Sequence, residues 1–460
     1  MSQAEHYDIL AVGGGSAVKA VAIDMAKAGR RVALIERGLI GGSCINVACI
    51  PTKTLVRSAE VAHLARGAAA FGVATAGISV NMPGVQARTA GVVAGMVDGT
   101  WHLLRDSGCE VIVGEARFVG PREVEATLPD GGTRRLTAER IFLTLGTRAA
   151  IPAIPGLAEA APLTHVEALR LDRLPEHLLV LGGGYIGLEM AHAFRRLGSA
   201  VTIVEQGPQL AAREDLDVAE AVQEIFRQDG IEIVLAAKAT AVEGRSGDAV
   251  TLRLRQEGSD RVLRGTDLLV AAGRVPQTAG IGLEIAGVKV DARAFIEVDE
   301  RLATSAPGIW ALGEAAGSPM FTHVAHDDAR VAISVILGGD RTTRSRLVPY
   351  VVFTDPELAR VGLSEADAQR QGLAVRVVRL PMSGVPRART LSQTRGFMKA
   401  VIDKASDRIL GFAMLGAHAG EVMSVVQVAM LGGLPFTVLR DGIIAHPTMA
   451  EGLNLLFANA

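Results

Sequence analysis

Cys44 and Cys49, separated by four residues, lie in Gly41-Gly42-Ser43-Cys44-Ile45-Asn46-Val47-Ala48-Cys49-Ile50-Pro51-Thr52-Lys53, and the chain holds only three cysteines. Thiols at this spacing can close a small disulfide loop if a helix start brings the sulfurs together. They can also ligate a metal, but zinc needs a second pair or nearby histidines, and none follow. No metal site is therefore expected. The glycines before the pair and Pro-Thr-Lys after it favour a redox-active disulfide. Such a pair needs a source of electrons, which the surrounding elements must supply. The third thiol, Cys109, has no cysteine neighbour and reads as a small apolar residue.

The segment just upstream suggests that source. Tyr7-Asp8-Ile9-Leu10-Ala11-Val12 reads as a buried parallel strand, and Gly13-Gly14-Gly15-Ser16-Ala17-Val18 opens a helix that continues through Met25. Arg31-Val32-Ala33-Leu34-Ile35-Glu36 then gives a strand ending in an acid. This is a βαβ unit of about 30 residues, the context a dinucleotide fingerprint requires. Gly13 makes the turn, Gly15 admits a pyrophosphate at the positive helix end, and Glu36 can accept hydrogen bonds from an adenosine ribose. Val18 replaces the third glycine of the fingerprint, which is expected to cost helix–strand closeness rather than phosphate contact.

A second copy begins at Gly182, 169 residues after Gly13. It has a strand over 177–181, a complete Gly182-Gly183-Gly184-Tyr185-Ile186-Gly187, a helix over 186–197 and a strand ending at Glu205. Each copy later reaches a strand and glycine turn, at Gly146-Thr147-Arg148 and at Gly273-Arg274. Two such units imply two dinucleotides bound at once, or one unit that has lost its ligand. The Glu205 carboxylate would repel a 2′-phosphate, so NADH is expected there in preference to NADPH.

Elsewhere, helices are predicted over 54–68 and 85–106, and short strands over 111–113 and 124–126. Trp310-Ala311-Leu312-Gly313-Glu314 reads as strand, turn and acid before a helix over 322–336. Past Gly338 the pattern changes to strands over 350–353, 375–380, 397–402 and 409–415, with helices over 364–371 and 419–430, and no nucleotide signal.

With 460 residues the chain has room for about three domains. A composition of 49% hydrophobic and 21% charged residues with 52 glycines fits a globular α/β protein rich in tight turns. A net charge of -2 supplies no basic surface for nucleic acid or anionic lipid. No run of about 18 apolar residues is present to span a bilayer. The start, Met1 to Asp8, lacks the basic and apolar regions of a signal peptide. A cytoplasmic protein is expected, and in a reducing cytoplasm a disulfide is more often catalytic than structural.

The whole pattern resembles the FAD-dependent pyridine nucleotide-disulfide oxidoreductases of the glutathione reductase and dihydrolipoamide dehydrogenase type. The resemblance rests on the glycine turn with Val18, the Cys44 to Lys53 segment, Gly146-Thr147, Gly182 to Glu189, Gly273-Arg274, Gly313-Glu314 and His446-Pro447-Thr448-Met449-Ala450-Glu451. It implies an α/β fold with two Rossmann-like dinucleotide-binding domains plus a C-terminal α+β dimerisation domain. The FAD domain would comprise 1–155 and 273–338, the NAD(P)H domain 156–272 and the dimerisation domain 339–460.

The resemblance also implies roles. FAD would lie on Gly13, Gly15 and Glu36, with Gly146, Thr147, Gly273 and Arg274 among the cofactor-binding residues. Glu314 stands where the family usually has an Asp at the ribityl chain, and the helix after it would point its N-terminus at the flavin pyrimidine. Lys53 and Glu189 match an ion pair beside the flavin, while NADH would lie on Gly182, Gly184, Gly187 and Glu205. Hydride would pass from nicotinamide to flavin, and two electrons from flavin to the Cys44–Cys49 disulfide. Cys49 would face the flavin and Cys44 would be the interchange thiol that attacks substrate. A free thiol with a pKa near 8.5 is mostly protonated at neutral pH, so a base is needed. His446, positioned by Glu451 and supplied by a partner subunit, would serve, making the protein a homodimer.

Substrate is less determined. Dihydrolipoamide dehydrogenases and glutathione reductases usually have Gly where Ala48 stands. Mercuric reductases use a vicinal cysteine pair near the C-terminus, which this chain lacks. Stretches over 49–56, 380–391, 433–435 and 439–441, together with Asp327, Asp328 and Arg330, resemble bacterial flavoprotein reductases that respond to reactive chlorine and reduce hypothiocyanous acid. Arg387 and Arg389 would then either line an entrance for a small anion or be solvated turn residues. The alternatives are a dihydrolipoamide dehydrogenase, a mercuric or metal-ion reductase, and a non-catalytic NADH- or flavin-binding protein.

Overall fold

The computed structural model describes residues 4–460, so Met1–Gln3 of the polar start lie outside the described residues. Two units are distinguished, one comprising the chain up to Thr54, Gln86–Ala150 and Arg274–Arg346, the other Leu55–Val85, Ile151–Gly273 and Leu347–Ala460.

In the first unit the apolar runs form central parallel strands. β1 (Glu5–Val12) lies between β2 (Val32–Glu36) and β6 (Thr133–Leu143), and β3 (Glu110–Val113) extends the sheet beyond β2. All five residues of β2 are buried, as a parallel strand covered on both faces requires. β6 is long enough to serve two neighbours besides β1. Its first half pairs antiparallel with β5 (Glu123–Thr127), itself paired with β4 (Glu115–Gly120), and its last residues pair parallel with β16 (Ile309–Ala311). β7 (Thr147–Ala149) and β15 (Arg274–Pro276) form a separate antiparallel pair. Helices α1 (Ser16–Lys27) and α8 (Thr322–Ile336) share an apolar core with β1 and β2. Val18 lies in that core with no exposure, so this helix accommodates a side chain where the fingerprint has glycine.

The second unit repeats the theme. β8 (His177–Leu181) and β9 (Ala200–Val204) are parallel neighbours, flanked by β14 (Asp267–Val270) and β10 (Glu232–Val234). Helix α6 (Tyr185–Leu197) connects β8 to β9, and α7 (Leu216–Gln228) connects β9 to β10. A three-stranded antiparallel sheet of β11 (Ala237–Arg245), β12 (Ala249–Gln256) and β13 (Ser259–Gly265) precedes β14. The C-terminal region is a five-stranded antiparallel sheet in the order β17-β18-β21-β20-β19. Its strands are β17 (Tyr350–Val352), β18 (Glu357–Gly362), β19 (Val375–Pro381), β20 (Phe397–Asp403) and β21 (Ile409–Gly416), and α11 (Ala419–Leu431) and α13 (Gly452–Phe457) pack in its core. The three remaining helices there are α9 (Glu365–Arg370), α10 (Pro386–Thr390) and α12 (Phe436–Asp441).

Three expectations shift. α3 (Cys49–Arg66) begins at the second cysteine rather than at Thr54, because Pro51 falls in its first turn, where a missing N–H costs nothing. It also ends two residues before the expected Ala68. α4 (Met82–Asp106) begins three residues before the expected Val85, with Pro83 likewise in its first turn. The short helices α2 (Gly42–Asn46) and α5 (His165–Ala168) had no counterpart in the sequence reading.

Candidate active site

The glycines ahead of Cys44 serve a close approach. Gly42 sits at φ +72°, and a Cβ there would come within 2.8 Å of the Gly15 Cα. The cysteine segment is thereby pressed against the turn that opens α1. Cys44 lies on α2 and Cys49 is the first residue of α3, so two helix ends meet at the pair. Both are thiols in this structure and hydrogen-bond to each other. That hydrogen bond, then burial, pushes the Cys44 thiol well above its ordinary value, while Thr322 and the Lys53 charge pull the other way. The Cys49 sulfur lies 3.6 Å from the Thr322 hydroxyl at the start of α8. The only sequence signal for Thr322 is its place as the first residue of the predicted helix over 322–336. Cys109 is buried in the core, which pushes its thiol up to about 12 and leaves it inert.

The two nucleotide units are built alike around their acids. Glu36 accepts hydrogen bonds from the backbone N–H groups of Gly14 (2.6 Å), Gly38 (2.9 Å) and Leu39 (3.0 Å). Glu205 accepts from Gly183 (2.7 Å) and Gly207 (2.7 Å). Each carboxylate ties its strand end to its glycine turn, and each oxygen keeps lone-pair capacity for a ribose hydroxyl. The units differ at the third glycine position. A Cβ on Gly187 would stand 2.1 Å from the Gly182 carbonyl oxygen, so α6 tolerates only glycine where α1 holds Val18. Helices α1 and α6 start after Gly15 and Gly184 with no side-chain cap. Their first-turn N–H groups are therefore available to the anionic pyrophosphate of a dinucleotide, which is the fit these sites would need for FAD and a pyridine nucleotide.

Gly146, Thr147, Arg274 and Glu314 converge in the first unit. The Arg274 Nε donates to the Thr147 hydroxyl at 2.7 Å and Nη2 donates to its carbonyl at 3.0 Å. Thr147 in turn hydrogen-bonds to Glu314, which also lies 3.5 Å from the Arg274 Nε. Gln277 N–H donates to the Gly146 carbonyl. Glu314 sits in the turn held by Asp328, a fully buried carboxylate that accepts from Gly313 N–H (2.6 Å) and the Ser318 hydroxyl (2.8 Å) and pairs with Arg346. Asp327 pairs with Arg341 and Arg346 and lies 4.0 Å from Arg330. Gly273 occupies the turn before β15 at φ +114°.

In the second unit, Glu189 is buried on α6 and accepts from the Phe353 N–H at 2.9 Å. Tyr185, the first residue of α6, donates to Glu214 at 2.6 Å, and Tyr350 reaches the same oxygen at 2.7 Å. No sequence motif marks this triad, because its members come from three distant segments. His446 and Glu451 are in contact: the ring Nδ1 lies 2.8 Å and 3.0 Å from the two carboxylate oxygens. With Nδ1–H donated to Glu451, the exposed Nε2 is left as the acceptor. The Glu451 backbone is fixed by Thr448, whose hydroxyl receives its N–H at 3.2 Å. Arg389 donates to the Ser383 carbonyl and Arg387 to the Thr390 hydroxyl, both within or next to α10.

Residues 7–329 match the pyridine nucleotide-disulphide oxidoreductase family, and residues 348–456 match the dimerisation domain of the same family. The chain belongs to that family. It is 38% identical over 459 residues to a probable pyridine nucleotide-disulfide oxidoreductase, RclA, of Escherichia coli, covering 98% of this chain and 99% of the relative. A mercuric reductase of Streptomyces lividans is 35% identical, with coverages of 98% and 95%. Among solved structures, a Cu(II) complex of the HOCl-induced flavoprotein disulfide reductase RclA from Escherichia coli superposes with a TM-score of 0.90 at 37% identity, covering 99% of each chain. The protein is accordingly an FAD-dependent oxidoreductase working with a pyridine nucleotide, on the α/β fold expected, and it carries the family's dimerisation domain. No helix among the described residues is long and apolar enough to cross a membrane.

Proposed function

We propose that the protein carries electrons from NADH to a small oxidant or disulfide through a redox-active Cys44–Cys49 pair, in the cytoplasm and as a homodimer. The observation that carries this reading is the mutual hydrogen bond of the two thiols at the junction of α2 and α3, against the glycine turn of the first nucleotide unit. When bound, FAD supplies the two-electron relay between the pyridine nucleotide and the disulfide. Gly13, Gly15, Glu36, Gly146, Thr147, Gly273, Arg274 and Glu314 are assigned to holding FAD, and Gly182, Gly184, Gly187 and Glu205 to holding NADH. Lys53 and Glu189 are assigned to the surroundings of the flavin ring.

Cys49 keeps the inner position and Cys44 the outer, interchange role. Since its hydrogen bond to Cys49 and burial both hold Cys44 protonated, attack on substrate requires a base. His446 of the partner subunit, oriented by Glu451, takes the Cys44 proton on Nε2 and returns it to the departing group. The domain division 1–155 with 273–338 for FAD, 156–272 for NAD(P)H and 339–460 for dimerisation belongs to the same reading.

Hypothiocyanous acid is the substrate the reading favours. It is supported by the likeness to a reductase described as HOCl-induced. A panel on one preparation tests it: NADH oxidation with hypothiocyanous acid, glutathione disulfide, lipoamide and mercuric ion. The reading predicts the highest kcat/KM for hypothiocyanous acid. A higher value for lipoamide would favour a dihydrolipoamide dehydrogenase, and one for mercuric ion a metal-ion reductase. Unchanged absorption on anaerobic mixing with NADH would favour a non-catalytic nucleotide-binding role.

A further inference from the structure

The mechanism above leaves one cation beside the cysteine pair without a task. Lys19 lies one turn into α1, its N–H bonded to the Gly15 carbonyl at 3.0 Å. The close approach of Gly42 to Gly15 brings α2, and with it Cys44, against this first turn. Lys19 is half-buried and within electrostatic range of Cys44, and among the described residues no carboxylate pairs with it. On the opposite wall, α8 places Thr322 at the Cys49 sulfur and His326 one turn further along the same face, within the field of Lys19. His323 and Arg330 also act on His326, and Lys53 acts on Cys44. Lys19 and Lys53 therefore both interact electrostatically with Cys44.

A lysine that loses hydration without gaining a carboxylate costs folding free energy. Loss of hydration indeed lowers its pKa. That cost is offset when the reduced pair presents a thiolate at Cys44. We propose that Lys19 is a specificity-determining residue, which holds the anion that Cys44 becomes and draws small anionic electrophiles to that sulfur. The proposal rests on the reading of Cys44 as the interchange thiol. In the step concerned, the Cys44 thiolate forms a bond to the electrophilic sulfur of the anion, and the bond from that sulfur to its leaving group breaks with its electron pair. Cys49 then displaces the substrate sulfur as a thiolate and restores the Cys44–Cys49 disulfide, so the two electrons of the reduced pair leave with the products.

The test uses full-length FAD-loaded enzyme, reduced anaerobically with one equivalent of dithionite, and two alkylating agents of similar size. Iodoacetate is an anion and iodoacetamide is neutral; modification at Cys44 is followed by peptide mass spectrometry. Lys19→Gln should lower the iodoacetate-to-iodoacetamide rate ratio by about tenfold, and Lys19→Arg should retain it. In the unmodified enzyme, raising salt from about 0.01 M to about 1 M should lower the same ratio. A ratio indifferent both to Lys19→Gln and to salt would overturn the proposal. Failure of both reagents to modify Cys44 in the unmodified enzyme would instead overturn the interchange assignment beneath it.

Discussion

At the scale of single residues, the chemistry turns on how protons are held near two sulfurs. Cys44 is kept protonated by its neighbour and by burial, so its reactivity depends on a base that can remove the proton. In the proposed mechanism that base is His446, whose ring Nδ1 lies 2.8 Å from Glu451. Replacing it with glutamine should lower turnover by about 10²–10⁴-fold while leaving the rate of flavin reduction by NADH unchanged. Stopped-flow separates the two phases, and a fall of less than about threefold would remove His446 from the mechanism. The pairings of Cys44 with Cys49 and of His446 with Glu451 were legible in the sequence, because each pair sits in a compact motif. Lys19 and Thr322 were not, since their relevance arises only when α1 and α8 fold beside the cysteine segment. Glu36 is anticipated in the sequence as a ribose acceptor and Glu205 as the acid that selects NADH, but their backbone bonds to the glycine turns need three-dimensional closure to be seen.

At the scale of elements, the two Rossmann units share a design and differ in tolerance. The periodic strands and glycine turns announced both units, and the boundaries that moved, at α3 and α4, did so because proline is harmless in a first helical turn. Gly187 cannot take a side chain, whereas Val18 already has one. Gly187→Ala should therefore slow flavin reduction by NADH and leave reduction by dithionite unaffected; equal effects on both would place the damage elsewhere. The C-terminal half of α6 is held by a buried charge cluster. His192 Nε2 lies 2.7 Å from Asp229, Arg196 pairs with both Asp229 and Asp355, and Arg395 reaches Asp229 at 2.6 Å. Arg66 at the end of α3 donates to the last carbonyls of α6. Burial would raise Asp229, but the hydrogen bonds from His192 and Arg395 outweigh it and hold Asp229 below the carboxylate range. Burial holds His192 below its ordinary 6.5 against the pull of Asp229. A depressed histidine means that the unfolded chain binds the proton first. Stability from this group is thus complete above pH 6.5 and is lost as pH falls below it. Denaturant midpoints measured from pH 8 to pH 5 should fall, and His192→Gln should flatten that fall; an identical slope in the variant would contradict the assignment.

At the scale of the whole molecule, the dimerisation domain carries exposed apolar residues on and beyond α11. Val425, Val428 and Leu431 recur along α11 and remain exposed, and Ile443 is fully exposed on the approach to His446. Such a face fits a second copy of the chain. If His446 acts in trans, mixing inactive Cys44→Ser and His446→Ala chains should create heterodimers with one intact site, each with about half the activity of the native dimer. No recovery on mixing, with heterodimers verified by mass, would argue that the base acts within its own subunit. The most direct test of the central claim is a count of alkylatable thiols in the oxidised holoenzyme before and after anaerobic addition of NADH. The account predicts that Cys44 and Cys49 are unlabelled before and that Cys44 becomes labelled after, with buried Cys109 silent in both states. Cysteines that label equally before and after NADH would contradict it.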